Sequence, residues 1–190
     1  MSDWNRFKYV GMCLWLFAAI PGSAFAEPPR TVDLVDLQRY MGLWYEIAAL
    51  PNFFQRQCVG DTTADYRLRD DGRVAVINRC RKDSGEIDEA QGIARSADPA
   101  TNAKLEVSFV NVFGKQLFWG DYWIIDLGAD YDYVLVGMPS RRWGWILARE
   151  PNPSRQEIDV WLERLREQGY DPKAFVLTDQ SARGAEGVGR

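Results

Sequence analysis

The chain has 190 residues, 46% of them apolar, and it contains no histidine. This length and composition predict a single globular domain with a sizeable core. The absence of histidine excludes a Ser-His-Asp or Cys-His catalytic pair, a histidine-bound haem and most catalytic zinc sites. The net charge of −4 argues against general nucleic-acid binding. From the residues alone we expect no cofactor and no metal site.

Residues 1–26 match the pattern of a secretory signal peptide. Arg6 and Lys8 precede an apolar run at 9–20, and small residues occupy the cleavage positions at 24–26. The run is too short to span a bilayer. We therefore predict that this segment is cleaved and is not a membrane anchor.

Eight β-strands in meander order are predicted after the signal peptide. Each is a short run rich in aromatic or β-branched residues, and turn signals separate the runs. The predicted ranges are 43–50, 62–68, 73–81, 87–95, 104–109, 121–127, 133–137 and 144–149. Between the fifth and sixth strands, 110–120 is predicted to be a long apolar loop. Because no helical pattern interrupts the series, we predict an all-β fold, an eight-stranded up-and-down antiparallel barrel without exposed edges.

One α-helix is predicted after the last strand. The segment 154–157 has the pattern of a capping box, and apolar residues then recur at helical spacing up to Leu165. This apolar stripe is expected to pack against the outside of the barrel. The folded domain is therefore predicted to span 27–180, and the polar, Gly- and Ala-rich segment 181–190 is expected to be a disordered tail.

Cys58 and Cys80 are the cysteines that follow the signal peptide. An even pair in an exported domain favours a disulfide, which here would close the hairpin of the second and third strands at its open end. The alternative is a pair of free thiols, one of them catalytic, although no histidine or clear basic partner is present to activate a thiolate.

Three motifs follow one another along the predicted barrel. Gly42 and Trp44 begin the first strand, 130–133 has the sequence Asp-Tyr-Asp-Tyr, and Arg149 ends the eighth strand. These motifs resemble the signature regions of the lipocalin family. The chain is most similar to the branch with bacterial outer-membrane lipocalins and apolipoprotein D, over roughly residues 35–180. The resemblance implies that the Trp and the Arg are structural, and an Arg can stack on an indole at the closed end of the barrel.

Side-chain alternation, anchored on Trp44 and Arg149 pointing inward, predicts which residues line the barrel. On the first strand it puts Glu46 and Ala48 on the same face as Trp44, and on the sixth strand it favours an inward Ile125. The candidate ligand-binding residues are Tyr66, Asn78, Val107, Phe109, Trp123 and Trp145. The resemblance implies pocket positions for the Tyr, the Asn and the first Trp of this set. Such walls would suit an acyl chain with a polar end.

Aromatic residues are concentrated in the loops predicted at the other end of the barrel. They are Phe53, Phe54, Phe113, Phe118, Trp119 and Trp143. Aromatic residues gathered on one rim suggest a ligand portal, a membrane-contacting lip or a homodimer interface. The alternative is that they fold inward as a lid over the core.

The resemblance implies non-enzymatic binding, storage or transport of a hydrophobic ligand, a fatty acid or a lysophospholipid, for membrane maintenance in the cell envelope. The alternatives are an isomerase-type enzyme acting in the barrel cavity and a protein-interaction module that uses the aromatic rim. Members of this branch are often lipoproteins, but Cys13 lies inside the apolar run and follows Met12, so no lipid-attachment cysteine is evident. We expect a periplasmic protein, with association with the outer membrane left open.

Overall fold

The structure, a computed structural model, describes residues 27–181. The predicted signal peptide and residues 182–190 of the predicted tail lie outside the described residues. The strands are β1 Gly42–Ala49, β2 Cys58–Leu68, β3 Val74–Lys82, β4 Ile87–Ser96, β5 Lys104–Ser108, β6 Val110–Val112, β7 Lys115–Leu117, β8 Gly120–Leu127, β9 Tyr133–Gly137, β10 Trp145–Ala148 and β11 Val176–Leu177. The helices are α1 Leu37–Tyr40 and α2 Arg155–Glu167, with short 3-10 turns at Phe53–Gln55 and Pro172–Ala174. Among the described residues, no helix is both long and apolar enough to cross a membrane.

Eight of these strands form a closed antiparallel barrel. Strands β1 to β5 and β8 to β10 pair in chain order, and β10 pairs back onto β1. Outside this ring, β11 adds a short pairing to β1, with Ala48 opposite Leu177 and Ala49 opposite Val176. The up-and-down barrel predicted from the sequence is confirmed. Its closure leaves the barrel strands without the unpaired edge of an open sheet.

The segment predicted as an apolar loop, 110–120, contains the hairpin of β6 and β7 instead. Val112 pairs with Lys115 across a two-residue turn formed by Phe113 and Gly114. Both turn residues have positive φ, 50° and 80°. Turns of this kind match the twist of a hairpin and are usually signalled by Asn-Gly or Asp-Gly. The Phe-Gly pair carries no such signal, so the loop prediction was wrong.

Helix α2 covers the outside of the barrel, as predicted. The Ser154 hydroxyl accepts a hydrogen bond from the Glu157 backbone N–H, and the Glu157 carboxylate accepts one from the Ser154 N–H, which completes the capping box. Trp161 and Leu165 are buried, and the Trp161 ring stacks on Tyr133 with ring centroids 5.0 Å apart. An outer core therefore lies between the helix and the barrel wall, separate from the core inside the barrel.

A bulge interrupts the predicted alternation along β1. The register of β1 against β10 shifts between Glu46 and Ala48. Ile47 and Ala48 both pack in the outer core, whereas Trp44 belongs to the inner one. An extra residue at a bulge breaks the period of two. The predicted inward position of Ala48 is therefore wrong, and that of Glu46 is confirmed because its side chain borders the cavity.

The predicted disulfide is confirmed. Cys58 begins β2 and Cys80 lies near the end of β3, with the two Cα atoms 5.5 Å apart. Both residues border the cavity inside the barrel. Because the two sulfur atoms are bonded to each other, neither is a free thiol, and the alternative of a catalytic cysteine loses its nucleophile.

Candidate functional site: a ligand-binding cavity

The barrel is closed at the end where α1 enters β1. The Trp44 side chain is 0% exposed, and its Nε1 donates to the Tyr40 carbonyl at 2.9 Å. The Arg149 guanidinium lies over the indole, with Cζ 3.8 Å from the ring centroid, and it donates to four backbone carbonyls between residues 39 and 43. Gly42 has a φ of +95°, which L side chains rarely adopt. The structure therefore shows the predicted stacking of Arg149 on Trp44 at this closed end, and we call this pair the plug of the barrel.

Three tyrosine hydroxyls form the floor of the cavity next to this plug. The Tyr122 hydroxyl oxygen lies 2.7 Å from that of Tyr40 and 3.0 Å from that of Tyr66. Burial raises the pKa of Tyr66 to about 12 and raises the pKa values of Tyr40 and Tyr122 well above their ordinary value. The phenols are therefore neutral at physiological pH and offer hydrogen bonds without charge.

A cavity of about 560 Å³ extends from this floor to the opposite end of the barrel. Most of its wall surface is apolar, with both aliphatic and aromatic side chains. The aliphatic residues are Ala64, Val74, Val76, Ala90, Ala94, Leu105, Val107, Val110 and Leu147. The volume falls within the range of small-molecule pockets, roughly 300–1,000 Å³. Its size and lining suit the apolar part of one small ligand.

The structure brings five of the six predicted ligand-binding residues to this cavity. They are Tyr66, Asn78, Val107, Phe109 and Trp145. Asn78 lies between Ala64 and Ala90 on the neighbouring strands. Its Oδ1 is buried and has no hydrogen-bond partner among residues 27–181. The Asn78 amide therefore offers a polar contact in an otherwise apolar stretch of wall.

The sixth predicted residue, Trp123, lies outside the cavity, so its predicted position is wrong. The inward Leu105 of β5 pairs with Tyr122 of β8, and Trp123 pairs with Lys104. Because paired residues share a face of the sheet, Tyr122 points inward and Trp123 outward. Trp123 packs against the outer core, where Ile125 is buried, and the Lys104 Nζ lies 4.5 Å from its ring centroid. The predicted inward position of Ile125 is wrong for the same reason.

One side of the cavity is polar and is built around Glu46. This residue is only 7% exposed, and its carboxylate accepts hydrogen bonds from Gln55 Nε2 at 2.7 Å and Thr178 Oγ1 at 2.6 Å. Gln180 Nε2 donates to the carbonyls of Glu46 and Thr62 at 2.8 Å. Burial raises the pKa of Glu46, and the two side-chain hydrogen bonds lower it. The C-terminal segment and the β1–β2 loop thus hold one carboxylate in the wall.

Aromatic residues surround the open end of the cavity. Phe54 lies against Trp143 and Trp145, with ring centroids 5.0 Å and 6.3 Å away. The Phe53 ring lies 5.9 Å from that of Trp143. Phe118 borders the same opening and is 81% exposed. Rings of the predicted rim therefore form the cavity entrance.

Sequence reasoning missed two of the floor tyrosines and the setting of Glu46. Tyr40 lies in α1, where strand alternation carries no information. Tyr122 precedes Trp123, so an inward Trp123 implies an outward Tyr122; the pairing of β8 with β5, where Val107 lies opposite Gly120, reverses both positions. Nothing near Glu46 in sequence signals that Thr178 would contact it.

Comparisons with known proteins agree with this architecture. The lipocalin-like domain family matches residues 35–180. The chain is 35% identical over 156 residues to outer membrane lipoprotein Blc of Vibrio cholerae, covering 81% of this chain and 88% of that protein. It is 29% identical over 182 residues to apolipoprotein D of Macaca fascicularis, covering 87% and 89%. The solved structure of insecticyanin from the tobacco hornworm Manduca sexta matches with a TM-score of 0.61 at 22% identity, covering 80% of this chain and 87% of that one.

A closed eight-stranded barrel with a plugged end, an outer helix and an apolar cavity defines a small-molecule-binding barrel. The chain belongs to the lipocalin family, whose members bind small hydrophobic ligands. Its similarity to outer membrane lipoprotein Blc and apolipoprotein D confirms the branch indicated by the sequence motifs.

Proposed function

We propose that this protein binds and carries a hydrophobic or amphipathic small molecule, a fatty acid or a lysophospholipid, without catalysis. The observation that carries the proposal is the cavity of about 560 Å³, which has a largely apolar wall and an aromatic entrance. Trp44 and Arg149 close its far end. A cavity closed at one end suits a ligand that enters tail first and leaves its polar end near the opening.

Burial of the acyl chain supplies the binding free energy. Each methylene transferred from water to an apolar wall gains about 0.8 kcal/mol, so roughly ten methylenes gain about 8 kcal/mol before the cost of ordering is subtracted. Asn78 and the neutral floor tyrosines limit how much of the wall is apolar. Such a wall distinguishes chain lengths weakly, because one methylene at about 0.8 kcal/mol changes the affinity by only about fourfold.

An isomerase-type enzyme in the same cavity is the second candidate. The cysteines that could have served it, Cys58 and Cys80, are joined in a disulfide. Carriage of a ligand needs no nucleophile and no general base, only transfer from water to the cavity. The disulfide therefore favours the carrier over the thiol-dependent enzyme.

The setting we propose is the cell envelope, where the protein would support membrane maintenance. The signal-peptide pattern of residues 1–26 suits export to the periplasm. Similarity to outer membrane lipoprotein Blc supports a place near the outer membrane. Phe113, at the tip of the β6–β7 hairpin, is 101% exposed and lies two residues before Lys115. An exposed ring beside a cation suits reversible contact with a bilayer surface.

Tryptophan fluorescence tests the proposal with a matched control. Trp145 borders the cavity, whereas Trp123 lies on the outside of the barrel. Lauroyl-lysophosphatidylcholine added to the wild-type protein should change the emission saturably near one equivalent. Trp145→Leu should remove a large part of this change, and Trp123→Leu should leave it intact.

Absence of a saturable change in the wild-type protein would contradict ligand carriage. If the emission change is lost in Trp123→Leu but kept in Trp145→Leu, the ligand binds on the outside of the barrel near α2 and not in the cavity.

A further inference from the structure

The ladder between β1 and β2 covers only part of the two strands. It ends where Tyr45 lies opposite Thr63, although β1 continues to Ala49 and β2 already begins at Cys58. Beyond this point both strands carry register shifts against their other neighbours, β10 and β3. Bulges of this kind bend a strand and disrupt its ladder. The two strands therefore diverge on the side of the ladder that faces the open end of the barrel.

Residues 176–180, which we call the strap, fill the space between the diverging strands. Strand β11 pairs with the end of β1 on the edge opposite β10, which is the edge that β2 occupies earlier along β1. The Thr178 N–H donates to the Ile47 carbonyl at 3.0 Å, and on the other side the Asp61 N–H of β2 donates to the Asp179 carbonyl at 2.7 Å. Because the strap bonds to both strands, β1 and β2 stand roughly two strand spacings apart here, about 10 Å.

Side chains of the strap close the cavity wall at this place. Thr178 Oγ1 donates to the Glu46 carboxylate at 2.6 Å, and Gln180 Nε2 donates to the carbonyls of both Glu46 and Thr62 at 2.8 Å. Glu46 and Thr62 both border the cavity. One amide group of the strap thus joins two strands that no longer pair with each other, and the strap forms the wall between them.

The strap itself is held mainly by polar contacts. Val176 and Leu177 are 60% and 49% exposed, so β11 buries little apolar surface. Arg81 Nη2 reaches the Asp179 carboxylate at 3.4 Å, but this pair is largely exposed and contributes little. Phe175, just before the strap, packs against the outer core. The apolar anchor of the C-terminal segment therefore lies before the strap and not within it.

Docking of the strap also leaves buried oxygen atoms without partners. Asp61 Oδ1 and Gln180 Oε1 are both buried and accept no hydrogen bond from residues 27–181. Such atoms regain hydrogen bonds to water when a segment opens, which offsets part of the loss of its other contacts. Segments with few buried apolar contacts open locally at a lower free energy than the core strands. The strap has the properties of a segment that opens while the barrel stays folded.

We propose that the strap is a lateral gate, whose release opens a second route into the cavity between β1 and β2. The gap would be as wide as the extended strap that fills it, and an acyl chain is thinner than a polypeptide with its side chains. Because the gap begins at the open end of the barrel, a lipid tail could slide in sideways instead of being threaded from its tip. This inference rests on the proposed carrier function and adds a path for the ligand, not a new ligand.

Amide hydrogen exchange measured by NMR tests release of the strap without any ligand. The amides of Asp61 and Thr178, whose acceptors lie across the gap, should exchange at least about tenfold faster than those of the β1–β2 ladder. Gln180→Met removes both amide hydrogen bonds at similar side-chain length and should speed exchange of the same two amides by about tenfold. Gln91→Met makes the same change at an exposed position of β4 and should have no effect. Equal protection of the strap and the ladder in the wild-type protein would overturn the gate.

Stopped-flow tryptophan fluorescence with monomeric lauroyl-lysophosphatidylcholine tests whether the ligand uses this route. Gln180 does not border the cavity, so its replacement leaves the lining intact. Gln180→Met should raise both the association and the dissociation rate by several-fold and keep the dissociation constant within about twofold. An easier opening speeds passage in both directions, whereas loss of a wall contact would raise the dissociation rate alone. Gln91→Met should again match the wild-type protein.

Gly60→Ala loosens the strap by a different means. A Cβ at this position would lie 2.6 Å from the Asp179 carbonyl oxygen, closer than such atoms come in proteins, so the methyl group should push the strap away from β2. Both rates should rise here as well. A weaker affinity with unchanged association in the two variants would make the strap only a part of the wall, and faster amide exchange with unchanged rates would mean that the ligand does not pass the gap; either result overturns the gate. If the lipid does not bind the wild-type protein, the carrier function itself fails, and the gate with it; unchanged rates in a protein that does bind overturn the gate alone.

Discussion

The Arg149 guanidinium lies 3.8 Å from the centre of the Trp44 ring and also donates to the Leu43 carbonyl at 2.7 Å. One side chain thus contacts the indole that fills the barrel and the backbone that carries it. Arg suits this place better than Lys, because its planar group can stack and donate several hydrogen bonds together. The pair closes the barrel without lining the ligand cavity, so its role is structural.

Truncation of the plug should destabilise the barrel. Trp44→Ala removes a completely buried indole and leaves a cavity, so the free energy of unfolding should fall by about 3–5 kcal/mol. Chemical denaturation followed by circular dichroism measures this change. Affinities of the folded fraction for different head groups should keep the same order, because the entrance lies at the other end of the barrel.

Trp119→Ala provides the control for loss of a tryptophan. Trp119 is half-buried, and the Arg95 guanidinium lies over its ring, with Cζ 4.0 Å from the ring centroid. Trp119→Ala should lower the free energy of unfolding by only about 0.5–1 kcal/mol. An unchanged denaturation midpoint in Trp44→Ala would show that the indole does not act as a plug.

The barrel and its plug could be predicted because local signals specify them. Turn residues separate the strands, and Gly42, Trp44 and Arg149 occur at the positions that the closed end requires. The facing of β8 could not be predicted in the same way. Tyr122 to Ile125 is apolar throughout, because the cavity lies on one side and α2 with its outer core on the other, so no alternation marks the inner face. Only pairing with β5 decides it.

The polar part of the site depends on contacts between distant segments. Thr178 reaches Glu46 from 132 positions along the chain, and the bulge after Glu46 occurs where β11 joins β1. Composition and spacing say nothing about such a contact. Most of the residues predicted on regular strands therefore do line the cavity. The residues that give the cavity its charge could be found only from the packed structure.

Reduction of the disulfide should lower stability. Cys58 and Cys80 are 22 positions apart, and a cross-link of this length stabilises a fold by about 3 kcal/mol in the chain-entropy model. Denaturation with and without reductant measures the difference. The double variant Cys58→Ser/Cys80→Ser should match the reduced wild-type protein and should not respond to reductant. A wild-type midpoint that reductant leaves in place would contradict a stabilising role for the bond.

The stability contribution of Glu46 should depend on pH. Burial raises its pKa in the folded protein above the ordinary value of 4.5, so the folded state binds a proton more tightly than the unfolded state. The stabilisation is then present below the unfolded-state pKa and is lost as pH rises through the folded-state pKa. Glu46→Gln abolishes this titration, so its stability relative to wild type should increase as pH rises between these two pKa values and stay constant above them.

The difference between the two denaturation curves isolates Glu46, because the other carboxyl groups titrate in both proteins. Lost or altered hydrogen bonds to Gln55 and Thr178 add an offset that does not vary with pH. A difference that is flat with pH would mean that Glu46 titrates alike in the folded and unfolded states.

The exposed tip of the β6–β7 hairpin should affect lipid collection rather than lipid affinity. The Phe113 ring is fully exposed and does not line the cavity, whereas Phe118 lies at the cavity entrance. Aromatic rings and lysine are both favourable at the headgroup boundary of a bilayer, so Phe113→Ser should weaken the encounter with a membrane. Uptake of lysophosphatidylcholine from phosphatidylcholine–phosphatidylglycerol vesicles should slow by several-fold, while affinity for the monomeric lipid should stay the same. Phe118→Ser is the contrasting variant and should weaken affinity as well.

A parallel fall of uptake rate and affinity in Phe113→Ser would assign that ring to the ligand site. If neither changes, the hairpin tip does not contact the membrane, and light scattering across protein concentration would then test whether the same ring joins two copies of the chain.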